Sequence, residues 1–241
     1  VSAVAAPAAT LLHVDAIDTY YGDSHILKGL SLEIRKGETV ALLGRNGVGK
    51  TTTLKSIVGW VPPRRGRIVF DGIDVTGESM MQAARRGISL VPEERRIFTN
   101  LSVYENIKLA QVTARKAGWT LEDVYAHFPR LKERAKNKGD EISGGEKQML
   151  AIARALVQDT KLLLLDEPTE GLAPLIVREV ESIVREIKSS GMTILLVEQN
   201  FYSALSLADR CYVIDQGTVA FSGTPDELKN DRETLAKYVH V

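Results

Sequence analysis

The stretch Gly44-Arg-Asn-Gly-Val-Gly-Lys-Thr51 restricts this chain more than any other part of it. It matches the pattern G-x-x-x-x-G-K-[ST], follows an apolar run, Thr39-Val-Ala-Leu-Leu43, and leads into a helix-like run from Thr52 to Val58. Glycines at 44, 47 and 49 let the backbone curl until successive N–H groups face phosphate oxygens. The helix that follows adds the positive end of its dipole. Lys50 can then reach the β- and γ-phosphates of a nucleotide as a point charge, and the Thr51 hydroxyl can bind Mg²⁺.

A second run complements the first. Leu162-Leu-Leu-Leu165 ends in Asp166-Glu167. An apolar strand that delivers carboxylates at its C-terminal end places charge at the crevice where open α/β sheets bind ligands. Asp166 is expected to hold Mg²⁺ through water. Glu167, one residue on, is expected to face the γ-phosphate and polarise the attacking water as a general base.

The rest of the chain reads as an α/β protein with a mainly parallel sheet. Strands are expected at 11–16, 32–34, 39–43, 67–70, 88–91, 162–166, 193–197, 211–215 and 218–222. Several are near-continuous in Val, Ile and Leu, as in strands covered on both faces by helices. The region 93–159 breaks this rhythm. It is rich in charge, as in Leu131-Lys-Glu-Arg-Ala-Lys-Asn-Lys138, and reads as an inserted helical subdomain. The expected organisation is a disordered Ala-rich tail at 1–10, a core at 11–92 and 160–223, the helical insert between them, and a C-terminal helix at 224–241. Thr224-Pro-Asp-Glu227 supplies the start signal for that helix.

With 241 residues, 44% of them hydrophobic, the chain is long enough for one large domain with a subdomain. Lys+Arg and Asp+Glu both number 31, so no bulk attraction to nucleic acid is expected. The single cysteine, Cys211, sits in an apolar run and cannot form an internal disulfide. No apolar stretch approaches the roughly 18–20 residues of a spanning helix, so a membrane role would come through partner chains. The four histidines show no metal-ligand spacing.

Ile142-Ser-Gly-Gly-Glu146, followed by Lys147-Gln148, resembles the LSGGQ signature of ABC ATPases, and it precedes the Asp-Glu strand as in that family. The resemblance runs from about Leu11 to Gly223. It implies a P-loop NTPase with a RecA-like core, an N-terminal antiparallel β subdomain and the inserted helices. It also implies ATP and Mg²⁺ as ligands. ATP would be held by Tyr21, stacking on adenine (Tyr20 being the alternative), by Gly44, Arg45, Asn46, Gly47, Val48, Gly49, Lys50, Thr51 and Thr52, and by Ser143, Gly144 and Gly145 of a second subunit. The Ser-Gly-Gly turn opens a helix, and its N–H groups suit an anion. Gly171-Leu-Ala173 matches the family's dimer-contacting loop.

Two positions depart from the common family pattern. Glu93 stands where a Gln usually senses metal and water, and Gln199 stands where a His usually acts as the switch. Glu93 can bind a metal directly but cannot donate a hydrogen bond when ionised. Gln199 can hydrogen-bond phosphate or water but carries no transferable proton at neutral pH. Glu167 is therefore expected to be the base, with Lys50 and Gln199 positioning. Val91-Pro-Glu93 followed by Arg95-Arg-Ile-Phe98, Asp166-Glu-Pro-Thr-Glu-Gly-Leu-Ala-Pro174 and Leu196-Val-Glu-Gln-Asn200 together resemble the branch that serves branched-chain amino-acid importers. Urea and short-chain amide importers belong to the same branch, which Tyr20-Tyr-Gly and Ser24-His-Ile-Leu27 also resemble. Lipopolysaccharide-exporter ATPases and non-transport ABC ATPases are more distant alternatives. The implied partners are a second ATPase subunit, as homo- or heterodimer, two membrane permeases and, indirectly, a periplasmic binding protein. The implied location is the cytoplasmic face of the inner membrane. The region after Phe98 resembles the part that docks a permease helix, with Phe98, Leu101, Val103 and Ile107 as candidate lining.

Overall fold

The computed structural model describes residues 9–114 and 118–239. In chain order, β1 (Thr10–Tyr21) and β2 (Ser24–Arg35) form a long hairpin, followed by β3 (Thr39–Leu43) and α1 (Lys50–Ile57). Then come β4 (Arg65–Phe70), β5 (Ile73–Asp74), α2 (Met80–Arg86) and β6 (Ile88–Val91). The helices α3 (Val103–Thr113), α4 (Leu121–His127), α5 (Pro129–Glu133) and α6 (Gly144–Leu156) follow. Alternation resumes with β7 (Leu162–Asp166), α7 (Pro174–Ser189), β8 (Thr193–Val197) and α8 (Phe201–Leu207). The chain ends in β9 (Arg210–Asp215), β10 (Thr218–Gly223), α9 (Pro225–Asn230), α10 (Arg232–Thr234) and a π-helical turn at Leu235–Val239.

The strands make two sheets. One is antiparallel, in the order β2-β1-β4-β5. The other has the order β10-β9-β3-β8-β7-β6, parallel except for its β10 edge. Alternating side chains explain the unbroken apolar runs. Leu163, Leu165, Ile194 and Leu196 face a cluster shared with α3, α6 and α7. Leu162, Leu164, Leu195 and Val197 face the opposite cluster, shared with α1 and the antiparallel sheet.

The four inserted helices do not carry a core of their own. Ile107, Phe128, Leu131 and Leu150 join the cluster on the large sheet, so the insert is packed directly onto the parallel strands. Val103 and Ile107 are fully buried there and cannot line a groove, whereas Phe98 is exposed. Capping boxes set the starts of α3 (Ser102, Glu105), α4 (Thr120, Asp123), α6 (Ser143, Glu146) and α9 (Thr224, Glu227).

Three expected elements differ. Residues 1–8 of the expected tail lie outside the described residues, and Thr10 already opens β1, with Ala9 O accepting from Lys36 N at 2.9 Å. β1 and β2 run well past the expected 11–16 and 32–34, because irregular register near Ala16, which has φ 44°, interrupts the alternation without ending the pairing. The C-terminal stretch is not one helix. Asp231 accepts from Thr234 N and Oγ1 at 3.0 and 2.6 Å, and this local cap stops α9 and restarts the chain in a new direction. Cys211 is fully buried in β9, and burial pushes its thiol up to about 12.

Candidate active site

The parallel strands β3, β7 and β8 all end at one edge of the sheet, and the chemistry-bearing residues gather there. A cleft of about 320 Å³ is lined by Ile26, Asn46, Gly47, Gly49, Lys50, Thr51, Thr52, Glu93, Glu167 and Gln199. Asn46, Gly47, Gly49, Lys50, Thr51 and Thr52 of the loop, the departures at 93 and 199, and the candidate base are thus brought together in one cleft. Ile26, on β2, joins them, although the sequence assigned it no site role.

The turn after β3 is tight. Gly44 has φ 147°, and a Cβ there would stand 2.5 Å from Ile214 O, so no larger residue fits. Lys50 sits at the start of α1, almost wholly buried. Its ammonium donates to Gly44 O at 2.9 Å and Arg45 O at 3.1 Å, and lies 3.4 Å from Glu167 Oε1. The Gln199 amide donates to the other Glu167 oxygen. Both oxygens of the candidate base are thus held, one by a cation and one by a neutral donor. The Glu167 backbone is left-handed at φ 48°, a conformation that costs a non-glycine residue about 1–3 kcal/mol. The bond from Glu167 N to Val197 O at 2.9 Å helps to hold it. Strain kept at this point aims the carboxylate across the cleft.

Thr51 Oγ1 donates to Asp166 Oδ1 at 3.0 Å. Burial pushes the Asp166 carboxyl up to about 6, and the charges of Glu167 and Glu93 push the same way against the Thr51 hydrogen bond and Lys55. A site with crowded negative charge and hard oxygen donors suits a small divalent cation that takes the rest of its ligands from water and phosphate. Among the described residues no closed cluster of three or more His, Cys, Asp or Glu is present. A cation shared with a bound nucleotide does not need one.

Other expected site residues lie outside the cleft lining. The Arg45 guanidinium turns away and donates to Lys237 O at 2.8 Å. The Val48 side chain packs on the core beneath the loop and its carbonyl accepts from Gly217 N at 3.0 Å, which leaves its N–H for a ligand. Tyr20 is stacked on His25, with centroids 4.1 Å apart, and covered by the Arg64 guanidinium at 4.4 Å. Tyr21 remains 44% exposed at the end of β1, so of the two it is the ring free to stack.

Ser143, Gly144 and Gly145 form the tip of α6 and do not line the cleft. Ser143 Oγ accepts from Glu146 N at 3.3 Å, and Ser143 N donates to Glu146 Oε2 at 2.7 Å. Arg134 steadies Glu146 from the side at 3.3 Å. Gly145 is required by packing, since a Cβ there would meet Ile176 Cγ2 at 2.4 Å.

One residue to which the sequence assigned no site role is Glu198, directly after β8. It is buried, and its Oε1 accepts from Thr169 Oγ1 at 2.8 Å and from Thr169 N at 3.2 Å. An acidic residue directly after the apolar run Ile194–Val197 was the available signal. Burial pushes its carboxyl from 4.5 up to about 7, against the pull of the Thr169 hydrogen bonds. Between those values the folded protein holds a proton that the unfolded chain releases, so the contribution of Glu198 to stability grows as pH falls from 7 and is lost as pH rises through 7. Denaturant titrations should show the parent gaining on a Glu198→Gln variant between pH 8 and pH 5. A difference that stays constant across that range contradicts the assignment.

A family model described as ABC transporter matches residues 27–170. BraG of Pseudomonas aeruginosa, named a high-affinity branched-chain amino acid transport ATP-binding protein, is 42% identical, with 95% of this chain and 99% of BraG covered. LptB of Escherichia coli, named a lipopolysaccharide export system ATP-binding protein, is 34% identical, with 96% and 97% covered. Among solved structures, cbiO1 of Clostridium perfringens, described as part of the ABC transporter complex cbiONQ, superposes with a TM-score of 0.79 at 30% identity, with 95% and 94% covered.

Proposed function

The chain belongs to the ABC transporter family, and from that premise we propose that it is the ATP-hydrolysing subunit of an importer for branched-chain or other hydrophobic amino acids. The observation that carries the enzymatic reading is the shared cleft, where Lys50, Thr51, Glu167 and Gln199 face one another at the strand ends. The cargo rests on the likeness to BraG, which exceeds that to LptB.

In this reading the loop N–H groups and Lys50 hold the triphosphate, and Tyr21 stacks on the base at a modest gain of about 1 kcal/mol. Thr51 and Asp166, with Glu93 facing the same cleft, hold Mg²⁺, which would offset the charge of the phosphates. Glu167 takes the proton of the attacking water. Gln199 orients Glu167 and water through its amide and holds no proton to exchange.

The tip of α6 completes the site from outside. Ser143 and the N–H groups of Gly144 and Gly145 would meet the γ-phosphate held by a second subunit, so that two nucleotides bridge a head-to-tail pair. The loop at Gly171-Leu-Ala173, whose Leu172 lies beside Gly144, would contribute to the same pairing face. Hydrolysis removes the bridge, and the pair opens.

A groove beside the insert supports coupling to a membrane partner. It has a volume of about 270 Å³ and is lined by Trp60, Met80, Val91, Arg96 and Arg154 among others, between α2, β6 and α6. It lies nearer β6 than the expected lining at Val103 and Ile107. A short helix of a permease fits this reading, with the subunit held peripherally on the cytoplasmic face. Among the described residues no helix is long and apolar enough to cross a membrane.

Glu167→Gln should leave nucleotide affinity within about threefold and lower turnover by about 10²–10⁴-fold, the range for a positioned general base. Equal turnover by variant and parent contradicts the role of Glu167. For the cargo, deleting the gene should abolish high-affinity uptake of labelled leucine, isoleucine and valine by whole cells. Unchanged uptake, or loss confined to urea and amides, contradicts the amino-acid reading.

A further inference from the structure

Arg95 ties together three elements that the paired state needs in register. Its Nε donates to Gln148 Oε1 at 3.0 Å, one turn inside α6. Its Nη2 donates to Glu170 O at 3.3 Å, in the loop that follows Glu167. A methyl group placed at Gly144 would stand 3.5 Å from its Nη1, so the guanidinium lies against the tip of α6. The backbone of Arg95 belongs to the loop after β6, whose Glu93 faces the nucleotide cleft.

This arrangement is held at a cost in two places. Arg95 and Arg96 are both left-handed, with φ 63° and 44°, in a region where residues with a Cβ are strained. Gln148 is 1% exposed, and its amide nitrogen has no hydrogen-bond partner. A buried, unpaired amide N–H is destabilising, and a well-packed apolar side chain of similar size avoids the penalty. Arginine only donates, so the Gln148 carbonyl must face it and the amide nitrogen is left over. A polar side chain at this buried position serves Arg95 rather than the stability of the fold.

We propose that Arg95, through Gln148 and Glu170, is a positioning residue that presents the Ser143–Gly145 tip and the Glu170 loop in the geometry required for ATP-driven pairing of two subunits. The proposal rests on the two-subunit site described above. Arg95 touches neither the catalytic carboxylate nor the phosphate loop of its own chain in this structure. Its removal therefore acts on pairing and on turnover, and leaves nucleotide binding to one subunit intact.

The test uses the full chain in a Glu167→Gln background, with MgATP as the probe and sedimentation velocity as the readout of pairing. Arg95→Ala is expected to raise the MgATP concentration needed for half-maximal pairing at least tenfold, with affinity of the single subunit for MgATP within about twofold of the parent. Gln148→Met is expected to weaken pairing in the same direction while its melting temperature stays equal to or above that of the parent. The double variant should pair no worse than Arg95→Ala alone. A melting temperature for Gln148→Met that falls together with pairing assigns Gln148 to the core and overturns the proposal. Pairing by Arg95→Ala that matches the parent overturns it as well and leaves the two-subunit site standing. A parent that never pairs at saturating MgATP overturns the two-subunit site and this proposal together.

Discussion

Buried negative charge at the ends of β7 and β8 is the constraint around which the rest of this protein is arranged. Asp166, Glu167 and Glu198 are all nearly inaccessible and sit at or just beyond the C-terminal ends of largely apolar strands. Removing a carboxylate from water costs several kcal/mol even after relaxation. The fold offsets part of that cost with Lys50 beside Glu167, Thr51 on Asp166 and Thr169 on Glu198. What remains is visible as carboxyl groups held at about 6 and about 7 for Asp166 and Glu198. A site with this residual charge suits a divalent cation, and the loop across the cleft carries N–H donors and a lysine suited to phosphate.

The parts that the sequence made legible are those in which one local rule acts alone. β3, β6, β7 and β8 fall at the expected residues because each is a short apolar run covered on both faces. The phosphate loop and Asp166-Glu167 were legible because their spacing carries a chemical purpose. The long β1–β2 hairpin was not, because irregular register and a left-handed Ala16 break its alternation while backbone pairing continues. Val103 and Ile107 were misplaced because helical periodicity tells which face is apolar and not what covers it. The bonds between Glu198 and Thr169 and between Arg95 and Gln148 span 29 and 53 residues. No window along the chain can reveal such contacts.

In the proposed function the cleft and the tip of α6 each supply half of a site. The cleft has a cation, a candidate base and candidate metal ligands, but the Ser143 turn is not part of its lining. That turn, capped by Glu146 and packed through Gly145 against Ile176, presents backbone N–H groups away from its own nucleotide cleft. Losing the Ser143 cap would cost about 1 kcal/mol of stability, too little to unfold a domain of ordinary stability. A large loss of turnover on changing Ser143 would thus report on the site and not on the fold.

The most direct check is complementation between two inactive proteins. Lys50→Ala removes the phosphate cation, and Ser143→Ala removes the tip hydroxyl. If each nucleotide is held by the loop of one copy and the tip of the other, a mixed pair contains one site with both features intact. An equimolar mixture should then recover roughly a quarter of parental ATPase activity, since about half the pairs are mixed and each has one of two symmetric sites restored. An activity no higher than the average of the two variants assayed alone would mean that each copy completes its own site, and the account of a shared nucleotide would be wrong.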